Sequence, residues 1–294
     1  MNEVHSLLFR TQYSCVSRKS SSCVTVQETQ AMGSARMKRK RIGVVGVMPF
    51  RGDALLRPLL PRGRRNHDCQ LNNVSGLKLV ILDIDGTLLR SNAAHAMAFT
   101  EAAQSQGIAA DYARILPLIG KGGDKLIPEA FGFEENSSLG KKLGELKGKI
   151  FKERFLPHLG PTPGARELLK AIKSKGLTPV VATSSGREDV ERLLERAKVK
   201  DLIEDAMTAD DADHSKPDPD ILQAALEKGA VHPEQAVMVG DTPYDIEAAN
   251  RASIRCLAVR CGGWSDQSLR GAAAIYDDPA DILLHFNEAF GLPD

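Results

Sequence analysis

The stretch LKLVILDIDGTLL, residues 77–89, decides the fold of this chain. Its first six residues are apolar and partly β-branched apart from Lys78, and they run without the alternation expected of a strand with one wet face. Such a run reads as a parallel strand buried on both sides. Asp83 and Asp85 then stand one residue apart, followed by Gly86 and Thr87 where the chain has to turn. In extended backbone, residues two apart project to the same side, so both carboxylates can face one ligand. Burying such a like-charged pair is costly unless a cation or a proton compensates. An Asp-Gly turn alone is a common loop signal; the whole string is not.

Outward from this strand, similar short apolar runs recur at LTPVVATSS (177–185), AVMVGD (236–241) and IRCLAV (254–259). Helical patterns separate them, as in GARELLKAIKSKG (164–176) and PDILQAALEKGA (219–230). Strand alternating with helix predicts a doubly wound α/β core on a parallel sheet. One interval breaks the rhythm. Between the first strand and the second the pattern is helical only, over 92–107, 110–119 and 136–154, with Asn92 and Asn136 as N-cap candidates. This predicts an α-helical cap domain inserted over the strand ends, where open α/β sheets bind ligands. The expected division is a core of 76–91 and 161–294 with a cap of 92–160.

Three further strand ends carry chemistry. VMVGDTPYD (237–245) supplies Asp241 at the strand end and Asp245 in the first turn of the next helix. Four acids on one topology make an oxygen-rich site that suits Mg²⁺. HSKPDPDI (214–221) puts Lys216 in a turn before a helix, where it is either solvated or a point charge for anionic oxygens. VVATSSG (180–186) ends a strand in Thr183, Ser184 and Ser185, which either cap the following helix or cradle a phosphate.

Taken in this order, the four pieces resemble the haloacid-dehalogenase-like (HAD) superfamily, over residues 76–294. The resemblance implies a Rossmann-like core and a phosphohydrolase in which Asp83 attacks phosphorus and forms an aspartyl-phosphate. Asp85 then serves as general acid/base. Asp83, the Asp85 backbone carbonyl and Asp241 would hold Mg²⁺ with Asp245 in support, and Thr183, Ser184 and Lys216 would bind phosphoryl oxygens. The dehalogenases of the superfamily lack the second aspartate, so Asp85 points to phosphoryl transfer. The helical cap and SNAAHAMAF (91–99) resemble the phosphoglycolate phosphatase and β-phosphoglucomutase branch. His95 occurs in both mutases and phosphatases of that branch and does not separate them. IGKGGDKLIPE (119–129) resembles its substrate-specificity loop, with Lys121 and Lys125 either available to an anionic substrate or solvated. Gly240 before Asp241, and the second acid Asp245, favour a phosphatase over a mutase, whose members tend to carry glutamate at the first position. Arg90 stands where the branch usually has aspartate. The expected substrate is a small phosphorylated metabolite such as phosphoglycolate or a sugar phosphate. A β-phosphoglucomutase-like isomerase and a non-catalytic regulatory protein on the same fold are the alternatives; intact Asp83 and Asp85 argue against the second.

The leader reads differently. Residues 1–75 hold 13 Lys/Arg against four Asp/Glu, leaving 26 against 34 in the rest. It shows no sustained periodicity, and predicts a basic, disordered extension, an upstream-called start or an organellar transit peptide. A nucleic-acid role for KRKR (38–41) is the weakest reading. No run approaches the roughly 20 apolar residues of a membrane helix. Five cysteines without metal-ligand spacing or a dense disulfide pattern suit a reducing compartment. The expected location is therefore cytoplasmic, or a mitochondrion or plastid if the leader is a transit peptide. No nucleic-acid or membrane partner is expected, and no feature sets an oligomeric state. Because every motif lies beyond residue 75, a 76–294 fragment should hydrolyse a phosphomonoester as fast as the full chain; an inactive or insoluble fragment would show that the leader packs on the core.

Overall fold

The computed structural model describes residues 76–293. The leader, and the expectations placed on it, lie outside the described residues. Six strands form one parallel sheet in the order β3-β2-β1-β4-β5-β6: β1 Leu79–Leu82, β2 Thr178–Ala182, β3 Ala206–Met207, β4 Ala236–Gly240, β5 Arg255–Val259 and β6 Ala274–Tyr276. This is the doubly wound α/β arrangement expected. Two strands went unread in the sequence, β3 and β6, because two- and three-residue edge strands carry too little apolar pattern.

Alternation along the strands builds a layer on each face. Val80, Leu82, Val181, Val237, Val239, Leu257 and Val259 point to one side. There they pack with α5 (Ala165–Ser174), α6 (Arg187–Arg196), α9 (Pro279–Leu284) and α10 (Phe286–Phe290). Leu79, Ile81, Val180, Ala182, Met238, Cys256 and Ala258 point to the other, against α7 (Asp220–Gly229) and α8 (Pro243–Arg251). Every residue of β1 is buried, and each such aliphatic side chain contributes about 1.5–3 kcal/mol by leaving water. The chain reverses winding direction at β1, whose neighbours are β2 and β4 with Leu82 in register with Val181 and Val239. The carboxyl ends of these three strands frame the crevice where such sheets bind ligands.

Between β1 and β2 the chain is helical. α1 spans Asn92–Ser105, α2 Tyr112–Ile115, α3 Gly123–Phe131 and α4 Ser138–Ile150, the last running into a π-helical turn at Phe151–Phe155. Their shared core is Ala96, Phe99, Ala102, Ala103, Ile115, Leu118, Ile119, Leu126, Ile127 and Leu143. Three details differ from expectation. The 110–119 helix is one α-turn followed by a 3₁₀ turn at Leu116–Leu118, where Pro117 removes a donor. α3 occupies part of the segment read as a loop, despite Pro128 inside it. Neither asparagine caps: the N-caps are Ser91 and Ser137, and only Ser137 accepts from a backbone N–H, that of Gly140.

The close approach of α5 to α9 depends on Gly164. Its φ is +72°, and a Cβ there would lie 2.5 Å from Ala280 Cα and N. Gly107 has a similar φ of +73° with nothing within 4 Å. Gly107→Ala should therefore cost only the left-handed strain, about 1–2 kcal/mol. Gly164→Ala adds overpacking and should cost about 2–4 kcal/mol. Urea unfolding of both variants checks the difference, and equal losses would refute the packing argument.

Candidate active site

Asp83 leaves β1 with its N–H donating to Val239 O at 2.9 Å, which places its side chain between the ends of β2 and β4. Asp241 follows β4 directly, and Asp245 is held in the first turn of α8. Thr242 caps that helix, its N–H and hydroxyl donating to Asp245 Oδ2 at 3.0 and 2.7 Å. One oxygen each of Asp83, Asp241 and Asp245 lies within 4.8 Å of the others, and all three residues are buried. Lys216, 1% exposed, neutralises part of this charge. Its ammonium donates to Asp83 Oδ1 at 2.6 Å, Asp245 Oδ1 at 2.8 Å and Ala182 O at 2.9 Å. These contacts use all three of its hydrogens.

One lysine does not balance three buried acids. Burial pushes Asp83 upward despite the pull of Lys216, with Asp245 and Asp85 adding to the rise. Burial, then Asp245 and Asp83, push Asp241 well above the carboxylate range. A second positive charge is what this set of oxygens fits, and a hard divalent cation such as Mg²⁺ accepts ligands of this kind. The surrounding backbone is shaped to the carboxylates. At Gly86, φ +88°, a Cβ would stand 2.3 Å from Asp241 Oδ2. Thr87 Oγ1 donates to Asp241 Oδ1 at 3.1 Å, and Asn92 Nδ2 to Oδ2 at 2.8 Å.

Asp85 is turned away from this cluster. Its Oδ1 accepts from Ser91 Oγ at 2.5 Å and contacts His95 Nε2 at 2.9 Å, and its Oδ2 accepts from Ser185 Oγ at 3.1 Å. Burial would raise the Asp85 carboxyl, but His95, then Ser91, outweigh it and hold the group well below its ordinary value. Burial and then Lys147 lower His95, with Asp85 pulling the other way. With Asp85 ionised, the His95 Nε2 that meets Oδ1 carries a hydrogen. His95 stacks on Phe151 at 3.9 Å and 11°.

The remaining residues picked from the sequence are placed as follows. Thr183 is buried at the end of β2, where its Oγ1 accepts from Ser185 N at 3.1 Å. Ser184 Oγ donates to Gly120 O at 3.1 Å, tying the helical insertion to the sheet. Lys121 bonds Glu129 and lies 4.8 Å from the Tyr244 ring centroid. Lys125 pairs with Asp218 at 2.5 Å and donates to Ser215 O. Both lysines thus already have protein partners. Several neighbours of the acids were not read as such. Ser91 and Asn92 directly follow the aspartate motif and could have been found there. Ser185 read only as a helix cap or part of a phosphate cradle, and Lys147, from a distant segment, gave no signal. Lys147 Nζ lies 5.0 Å from the Phe99 centroid and 5.4 Å from that of Phe151. No helix among the described residues is long and apolar enough to cross a membrane.

Residues 80–259 match the family model described as haloacid dehalogenase-like hydrolase. The chain is 31% identical over 218 residues to the phosphoglycolate phosphatase of Rhodospirillum rubrum, covering 70% of this chain and 89% of that one. Among solved structures it superposes on a hydrolase from Pseudomonas syringae with TM-score 0.66 and 29% identity, over 72% of this chain and 98% of that one. A putative β-phosphoglucomutase from Bacteroides vulgatus gives TM-score 0.63 at 27% identity, over 74% and 91%.

Lys216→Met leaves Asp83 and Asp245 buried against each other without their cation. Removing one partner of a buried ion pair costs about 3–5 kcal/mol. That loss should appear at pH 8 in chelator and shrink toward pH 5, because Asp83 titrates upward of its ordinary value and can then take a proton. Mg²⁺ should restore part of it. Urea unfolding at both pH values, with EDTA and with Mg²⁺, checks this; a loss independent of pH would remove the electrostatic account.

Proposed function

Because the chain belongs to the haloacid dehalogenase-like hydrolases and is a phosphoric monoester hydrolase, we propose that it cleaves a small phosphomonoester with Mg²⁺ through a phosphoryl group carried on Asp83. The observation that carries this reading is the contrast between two aspartates two residues apart. Asp83 sits with Asp241 and Asp245 against Lys216, while Asp85 is withdrawn and held by Ser91, His95 and Ser185.

In the proposed reaction an Asp83 carboxylate oxygen attacks phosphorus as the bond to the leaving oxygen breaks. Asp85 gives its proton to that oxygen, then takes one from the water that attacks the phosphoryl-Asp83, releasing phosphate and restoring both acids. A bound phosphate anion beside Asp85 raises its affinity for a proton, against the hold of its three donors. Asp83, the Asp85 carbonyl and Asp241 would hold Mg²⁺, with Asp245 in support. When bound, the ion neutralises charge on the phosphoryl oxygens and keeps Asp83 ionised. Lys216 offsets the repulsion between Asp83 and Asp245 and, with its three hydrogens taken, would act on phosphoryl oxygens as a charge, with Thr183 and Ser184 as the candidate hydroxyl contacts. We take the helical insertion as the cap, with Lys121 and Lys125 orienting the segment that faces the core and His95 setting Asp85.

Hydrolysis is favoured over mutase chemistry by Gly240. A Cβ there would meet Asp245 Cβ and Cγ at 2.5 Å, so a glutamate in front of Asp241 has no room. The similarity to a phosphoglycolate phosphatase favours a small acid or sugar phosphate as substrate.

Asp83→Asn should abolish turnover and any covalent phospho-enzyme. Asp85→Asn should lose roughly 10²–10⁴ in rate, more on an alkyl phosphate, whose leaving oxygen needs a proton, than on p-nitrophenyl phosphate. Measuring kcat/KM for both esters at saturating Mg²⁺ decides it, and equal losses on the two esters would remove the acid role. With β-glucose 1-phosphate the expected product is free phosphate; glucose 6-phosphate would favour the mutase.

A further inference from the structure

Asn92 opens α1 and is 8% exposed. Its Nδ2 donates to Asp241 Oδ2 at 2.8 Å and to Gly262 O at 3.1 Å. Both partners are acceptors only at these atoms when Asp241 is ionised, so the amide orientation is determined and Oδ1 is the atom left to find a donor. That Oδ1 is buried and has no hydrogen-bond partner among the described residues. A buried acceptor without a donor is costly, and it calls for an explanation.

The surroundings leave the amide little freedom. A Cβ at Gly262 would come within 1.7 Å of Asp241 Oδ2, and one at Gly86 within 2.4 Å of Asn92 Nδ2. Backbone therefore closes on the side where amide and carboxylate meet. With Thr87 on Oδ1, each oxygen of Asp241 is held by a side-chain donor.

We propose that Asn92 is a positioning residue of the cation site, its Nδ2 fixing Asp241 and its Oδ1 accepting from a water of the hydrated divalent ion. The inference rests on the Mg²⁺ reading of the preceding subsection. Mg²⁺ keeps several waters when protein-bound, and those waters need acceptors. Groups that orient metal ligands through hydrogen bonds raise the affinity of the site for its ion. The placement has a second consequence. Asn92 belongs to the first helix of the insertion, whereas Asp241 and Gly262 follow β4 and β5. Cation binding and the seating of α1 are therefore linked through one amide, and by reciprocity each favours the other.

The test uses the full chain and the metal alone. Free Mn²⁺ is followed by electron paramagnetic resonance during titration of wild type, Asn92→Ala and Asn92→Leu, the last keeping the side-chain volume. The expected result is binding weakened about 10–100-fold in both variants. In wild type, Mg²⁺ should also slow hydrogen exchange at the start of α1, where His95 N donates to Ser91 O; this readout needs no variant to fold. Unchanged Mn²⁺ affinity in either folded variant, or no Mg²⁺ protection of α1 in a wild type that binds the ion, overturns the proposal. A wild type that binds neither Mn²⁺ nor Mg²⁺ would instead overturn the metal reading beneath it.

Discussion

The structure depends on keeping three carboxylates buried around one lysine. Asp83, Asp241 and Asp245 come from the ends of two adjacent strands and a helix start, and Lys216 reaches Asp83 and Asp245 from the loop before α7. In a low-dielectric interior such a set repels itself unless charge is supplied and every lone pair is directed. The local structure does both. The Thr242 cap fixes Asp245, Thr87 and Asn92 fix Asp241, and Ala182 O takes the third hydrogen of Lys216. Glycines at 86, 240 and 262 let backbone approach where a Cβ would collide with these carboxylates.

Asp85 escapes that cluster because the insertion supplies it with other partners. Ser91 is the N-cap of α1 and His95 lies in its first turn, while Ser185 follows β2. Its proton affinity is thus set jointly by the sheet and the insertion. The His95 ring, stacked on Phe151 of the π-helical turn, holds one carboxylate oxygen through its Nε2. Segment 117–125 is tied to the sheet side by its own contacts. Tyr244 Oη donates to Pro117 O at 2.7 Å, Gly122 N to Ser215 Oγ at 3.0 Å, and Lys125 pairs with Asp218. Two of these partners flank Lys216 in sequence, so the seating of the insertion bears on the loop that carries the lysine.

The sequence alone determined the parallel α/β core, because a strand buried on both faces must be apolar along its length; β1 and β4 are, and β2 and β5 depart only at their first residues, Thr178 and Arg255. It also brought Asp83 and Asp85 forward as candidates, but the shared side that extended-backbone spacing predicts is not where both go: Asp85 turns to Ser91, His95 and Ser185. Only the tertiary structure decided what each acid touches. Lys216 lies 133 residues from Asp83, and Asn92 lies 149 from Asp241, separations across which no periodicity carries information. Asn92 read locally as a helix cap, because asparagine before an apolar helix caps more often than not. Packing overrode that preference: a buried carboxylate without a donor costs more than an uncapped helix start, and the strand order had put Asp241 within reach.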